Sequence, residues 1–146
     1  MPPTPVTRLA VVLAVSALAG CDVLDPTETD PNVAHIDAVT LATAPADGAA
    51  VFVRLATRFD TTDTEAAPGP FPLALAVPPG FAVTTTDGRF YDGEPLTVEI
   101  RRCTETCVTS VSVGRETVAP DAWADAERTV TVAGTAVTLT YRKTSS

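Results

Sequence analysis

Alternation rather than helical periodicity governs this 146-residue chain. From residue 36 onward it predicts an all-β domain built as an antiparallel sandwich. Three observations carry that expectation. Apolar residues recur at every second position in short runs, most clearly Leu96, Val98 and Ile100 with Thr97, Glu99 and Arg101 between them. Turn chemistry such as Pro45-Ala46-Asp47-Gly48 and Pro78-Pro79-Gly80 punctuates those runs at short intervals. Only one stretch, Pro120 to Glu127, reads as a helix, and it is short.

The chain opens on a different kind of segment. Arg8 is the only charged residue among the first twenty, and an uncharged run of Leu, Val and Ala follows it from Leu9 to Gly20. A basic residue before a short apolar run is signal-peptide layout. The run is too short for a hydrocarbon core that needs about 20 apolar residues in a helix. It ends in Leu18-Ala19-Gly20-Cys21, which resembles the lipobox of bacterial lipoproteins. That resemblance covers residues 1 to 21 only. It implies removal of residues 1–20, a diacylglyceryl thioether on Cys21 and, in many bacteria, fatty acylation of the new amino terminus. Stable anchoring takes more than one acyl chain, so such a cysteine would hold the protein on a membrane of the cell envelope, inner or outer.

Residues 21–35 form the next unit. Asp22 to His35 carries four acidic residues and two prolines with few apolar side chains, the composition of an acidic, solvated tether. Residues 36–146 are the sandwich domain. Ile36 to Leu41 opens the first strand, and Val51, Val53 and Leu55 alternate with Phe52, Arg54 and Ala56 in a second that extends up to Phe59. Asp60 to Pro70 reads as a polar loop. Phe71 to Val77 and Phe81 to Thr86 read as two strands reversed by Pro78-Pro79-Gly80. Phe90-Tyr91 lies between the turn signals Asp87-Gly88 and Asp92-Gly93. Leu96 to Arg101 and the return through Val111 and Val113 follow, then the short helix near Trp123, with Asp121 as its cap. Arg128 to Ala133 and Thr135 to Arg142 close the chain as a hairpin, and pairing Val130 with Val137 puts Val132, Leu139 and Tyr141 on one face. About eight strands at this spacing fit an immunoglobulin-like sandwich, with an open barrel as the alternative.

Three cysteines less the lipid acceptor leave Cys103 and Cys107. In an exported protein an even remainder argues for a disulfide. Facing each other across Thr104-Glu105-Thr106, they predict a tight hairpin with a β-bulge between Val108 and Ser110 that returns Val111 and Val113 to the apolar side.

Composition narrows function. The formal charge is −8, and loss of Arg8 with the leader makes it −9, so nucleic acid and anionic lipid surfaces are poor partners. The single histidine, His35, falls in the tether stretch, which weakens histidine-based acid–base or nucleophilic chemistry and zinc ligation in the domain. Asp60 to Glu65 offers calcium-friendly oxygens without the glycine or spacing of an EF-hand loop. No cofactor or metal site is therefore expected. The chain reads as a lipid-anchored, non-catalytic binding or assembly module. The alternative is a small carbohydrate-active or hydrolytic enzyme using carboxylates. If the strands simply alternate direction, the loops 60–70, 87–93 and 120–127 gather at the tethered end. Phe90, Tyr91 and Trp123 would there face an envelope protein or glycan.

Overall fold

The computed structural model describes residues 32–43, 47–86, 93–121, 123 and 126–145. Among them lie nine strands: β1 (Asn32–Leu41), β2 (Val51–Ala56), β3 (Thr61–Asp63), β4 (Leu73–Ala76), β5 (Ala82–Thr85), β6 (Leu96–Cys103), β7 (Ser110–Val118), β8 (Glu127–Val132) and β9 (Thr135–Ser145). They make two antiparallel sheets. One runs β4-β1-β9-β8 with β5 also on β1, and the other runs β3-β2-β6-β7. Each sheet contributes alternate side chains to one apolar cluster. Val39, Leu41, Val137 and Leu139 come from the first, and Val51, Val53, Leu55, Val98 and Ile100 from the second. The chain is thus an all-β antiparallel sandwich, as alternation predicts. At about 25 cal/mol per Å² of apolar surface removed from water, that shared interior is the main force holding the sheets together.

The strongest alternations give the central strands. On β6 the buried residues are Leu96, Val98 and Ile100, and β2 lies against it with Val53 opposite Ile100 and Leu55 opposite Val98. The closing hairpin has the expected register, Val130 opposite Val137. Its two-residue turn, Ala133-Gly134, has φ of 48° and 78°. Positive φ at both central residues is the geometry that matches the twist of a tight hairpin.

Three features depart from the sequence expectation. First, β1 begins at Asn32, inside the stretch assigned to the tether. Residues 32–35 pair with β5 on one side and with β9 on the other. Second, β4 and β5 are not a hairpin. Both run antiparallel to β1, β4 against Ala38–Leu41 and β5 against Asn32–His35, so together they form one interrupted edge strand. Pro78-Pro79-Gly80 loops out between them, exposed, while Val77 and Phe81 on either side are buried. Prolines cannot donate to a ladder and are tolerated at such an edge. β1 is interrupted at the same level, because Ile36 pairs with Tyr141 and Ala38 with Thr140, leaving Asp37 as a bulge. Arg142 holds that bulge with two hydrogen bonds to the Asp37 carboxylate, 2.7 and 2.9 Å.

Third, the described residues of the expected helix, Pro120, Asp121, Trp123 and Ala126, are not helical, and Glu127 already belongs to β8. Residues 122, 124 and 125 lie outside the described set. The segment carries the chain from one sheet to the other, and its polar groups are committed to that crossing. The Pro120 carbonyl accepts from Thr86 N–H at 3.2 Å. The Asp121 carboxylate, expected to cap a helix, instead pairs with Arg128 at 2.7 Å.

Candidate functional site

Backbone hydrogen bonds define a common end for the two sheets. Thr86 N–H donates to Pro120 O, and Glu94 N–H donates to Thr84 O at 2.8 Å, which joins the end of β5 to the end of β7 and the start of β6. Thr84 pairs with Val33 at the start of β1, and Thr97 near the start of β6 pairs with Ala56 at the end of β2. The first residues of β1 therefore share one end of the sandwich with the connection 57–60 and with the described residues 86, 93–95, 119–121, 123 and 126. The far end holds residues 42–43 and 47–50, the 104–109 connection and the Ala133-Gly134 turn. For the described residues this is the sorting that alternating strands predict, with two changes; residues 87–92 of the expected tether-end loop lie outside the described set. Pro78 to Gly80 lies midway along an edge, and the 60–70 segment reaches the far end, where Ala67 bridges Val51.

Gly93 lets the strands close this end. A Cβ there would lie 2.7 Å from Thr86 N and 2.8 Å from Thr84 O, closer than any side chain tolerates.

The aromatics named as candidates are placed as follows. Phe90 and Tyr91 lie outside the described residues, as does Cys21. Trp123 is 2% exposed and belongs to the core, so its ring presents no surface to a partner. It packs edge-on against Tyr141 with ring centroids 4.7 Å apart. The Arg128 guanidinium lies 5.3 Å from its centroid and donates to Ala119 O at 3.4 Å. This arrangement plugs the interior between the sheets where β7 crosses to β8. Among the described residues nothing accepts a hydrogen bond from the buried Trp123 Nε1.

Among the described residues the exposed aromatic at this end is Phe59, 75% accessible, which the sequence places at the end of a buried strand. That strand stops at Ala56 because Thr57 turns the chain. Its Oγ1 accepts from Phe59 N–H at 3.2 Å and from Asp60 N–H at 3.1 Å, and its own N–H donates to Asp60 O at 2.8 Å. Asp60 Oδ1 then accepts from Thr61 N–H at 2.8 Å. Thr and Asp are turn residues because their side chains replace backbone partners in this way, so Thr57 and Asp60 were the available signal. The return strand β3 falls in the stretch expected to be a loop. It is pinned by Arg54, whose guanidinium forks onto Asp63 with two bonds of 2.7 Å, and by Thr64, whose buried Oγ1 accepts from Val53 N–H at 3.0 Å. Arg58 stacks over the Phe59 ring at 4.4 Å and stands 3.9 Å from the buried Glu94.

At the far end Cys103 and Cys107 form the expected disulfide, although not across the expected hairpin. Cys103 pairs with Ser110, and Cys107 lies within the loop at φ 61°, its N–H donating to Thr104 O. Thr104 also bonds to Thr109 through side chain and backbone. The bulge is at Val113, between the pairs Ile100–Gly114 and Arg101–Ser112, and not between Val108 and Ser110. Val111 and Val113 stay 43% and 37% exposed, because β7 is an edge strand with little of the opposite sheet over it. Gly114 is the point of contact, where a Cβ would meet that of Ala133 at 2.7 Å.

Several of the described carboxylates are paired with arginines. Besides Asp37, Asp63 and Asp121, Asp47 accepts from Ala49 N–H at 3.4 Å and from Arg102, and Glu99 accepts from Arg101 at 2.9 Å. Hydrogen bonding by Arg142 holds the Asp37 carboxyl below its ordinary value. The Ala49 N–H, ahead of Arg102, does the same for Asp47. Among the described residues no three His, Cys, Asp or Glu side chains gather as a metal-binding group.

No protein-family model matches the chain, and no curated protein matches it. Among solved structures it is similar to a C2 domain of a plant extended synaptotagmin 1. The identity is 12% over 81% of this chain and 98% of that one, with a TM-score of 0.47.

Proposed function

We propose that the chain is a lipid-anchored protein of the bacterial cell envelope, held through Cys21, whose sandwich acts as a non-catalytic binding or assembly module on the periplasmic or extracellular side. The observation that carries this reading is the division of labour among three cysteines. One closes a lipobox-like leader, and the other two are joined to each other in the domain. Disulfides persist where thiols are not kept reduced, so leader and domain chemistry point to the same side of the membrane. The module reading is supported by a continuous apolar interior shared by the two sheets and by the commitment of Asp37, Asp63, Glu99 and Asp121 to arginine partners. The partner would be an envelope protein or a glycan met by the end loops.

The test is mass spectrometry of detergent-extracted protein, followed by pulldown from envelope extract alongside Cys21→Ser. An acylated amino-terminal cysteine and a partner recovered with the anchored form are expected. An intact leader or an unmodified Cys21 would overturn the reading.

A further inference from the structure

We infer that the Thr57–Asp60 tip is a second membrane contact, with Phe59 entering the headgroup boundary of the bilayer that holds Cys21. The inference rests on the lipid-anchor reading and adds an orientation and a lipid-facing residue to it.

Single exposed apolar residues are ordinary on protein surfaces, so exposure alone carries nothing. What distinguishes Phe59 is its support and its position. The N–H groups of Thr57, Phe59, Asp60 and Thr61 are all bonded within the tip, and its exposed side chains include Arg58, Phe59 and Asp60, whose Oδ1 is taken by Thr61 N–H. An aromatic held on an ordered turn loses little conformational freedom when it is buried. The Arg58 guanidinium over the ring offers the companion an interfacial aromatic needs, an amphipathic stem whose charge stays in the polar layer. Glu94 beside Arg58 and the exposed Asp60 next to Phe59 leave the tip without net positive charge, so the contact relies on the ring and needs no anionic lipid, in keeping with an acidic protein.

Position supplies the rest. The tip lies at the end of the sandwich where β1 begins, linked to it through Arg58–Glu94, Glu94–Thr84 and Thr84–Val33. Eleven chain steps separate Cys21 from Asn32, a reach of at most roughly 40 Å even when fully extended. The ten-residue β1 is itself about 33 Å long. For the disulfide end to meet the membrane, the leash would have to run back along the whole sandwich. The tip needs no such reversal. Phe59 alone would not hold a free domain on lipid, but a tethered domain meets the surface at high effective concentration, where one aromatic can fix orientation.

The experiment uses the full chain, expressed with its leader, extracted, checked by mass and reconstituted into phosphatidylcholine vesicles. In separate samples the acyl chains are plain or brominated. Trp123 is buried and supplies a constant background, so tryptophan placed by Phe59→Trp is read against Val108→Trp, a highly exposed position at the far end. The expected result is that the added emission of F59W is blue-shifted and quenched several-fold more by brominated lipid than that of V108W. Equal quenching at both positions, or none at F59W in acylated protein, would overturn the proposal and leave the anchor standing. A chain whose mass shows no lipid on Cys21 removes the anchor and the proposal with it. An unquenched tip combined with loss of partner pulldown in Phe59→Ala would overturn it in favour of a protein contact.

Discussion

At the far end of the sandwich, six residues between β6 and β7 are tied by a disulfide and a pair of threonines, and the valines beside them stay in water. At the tether end there is no covalent link among the described residues, and the chain crosses between sheets around a buried tryptophan flanked by Tyr141, Arg128 and Asp121. One end is closed by restricting the unfolded chain, the other by filling the folded interior. The contrast marks where the molecule tolerates change. A covalent loop stabilises without demanding that its neighbours pack, whereas a packed plug loses stability with the apolar volume removed from it.

Removing the plug should have the largest effect. Trp123→Ala deletes a nearly inaccessible ring from the core, and large-to-small changes of this kind cost about 3–5 kcal/mol. Urea unfolding followed by circular dichroism should show it as a lower midpoint with unchanged slope. Trp123→Phe isolates the polar part of the ring. It keeps most of the apolar volume and removes an N–H that has no acceptor among the described residues, so a loss below about 1.5 kcal/mol is expected. A loss as large as that of alanine would mean that the N–H has a partner of consequence.

Opening the staple should matter less. The disulfide closes a ring with a sequence separation of 4, for which chain entropy gives roughly 2 kcal/mol. Cys103→Ala with Cys107→Ala should lower stability by about that amount or less, because Cys107 is also freed from a left-handed conformation. Since the two ends share no partners, combining this pair with Trp123→Phe should give an additive loss to within about 0.5 kcal/mol. Coupling beyond that would join the two ends in one cooperative network.

The two glycines at close approaches offer a finer comparison. Gly93→Ala would drive a methyl against the backbone of Thr84 to Thr86, whereas Gly114→Ala clashes with the methyl of Ala133, whose backbone N stays at 3.4 Å. Overpacking typically costs about 1–3 kcal/mol. The Gly93 change should fall at the upper end and the Gly114 change at the lower, since a hairpin turn can shift where a strand pairing cannot. The reverse order of melting temperatures would show that β7 is held to the Ala133 turn more rigidly than its exposed valines suggest.

Much of this architecture is legible in the residues, and the failures have a common cause. Val53, Leu55, Val98 and Ile100 announce their strands because alternation is a local property that one buried face imposes on each strand separately. Pairing is not local. Pro78-Pro79-Gly80 looks like a reversal, but β1 is ten residues long and can take β4 and β5 end to end, which no window around the prolines reveals. Aromatic exposure is equally hidden. Trp123 sits among Asp and Ala residues in a stretch that reads as a short helix and offers itself to a partner or to the core, yet it fills the crossing between sheets. Phe59 continues the pattern of Val53 and Leu55 and reads as core, yet Thr57 and Asp60 have already turned the chain.

The smallest effect separates two carboxylates that look alike. Asp37 and Asp47 are each paired with an arginine, and each is held below its ordinary value, but for different leading causes: the Arg142 hydrogen bonds for Asp37 and the Ala49 N–H for Asp47. A carboxyl whose folded pKa is depressed adds stability above its unfolded value of about 3.8, and loses it as pH falls through the lower folded value. Both groups are well exposed, so the contribution is screened and slight. The distinction lies in how each responds to losing its arginine. Arg142→Gln should let Asp37 return toward its ordinary value and remove its share of the acid-side dependence of stability. Arg102→Gln should leave Asp47 depressed, because the backbone donor remains. Carboxyl carbon shifts followed by NMR between about pH 2 and 6, a span chosen to bracket ordinary carboxylates, would resolve the two. If both groups relaxed alike, Ala49 N–H would not be the main support of Asp47, and the 42–50 connection would depend on its arginine as fully as the Asp37 bulge depends on Arg142.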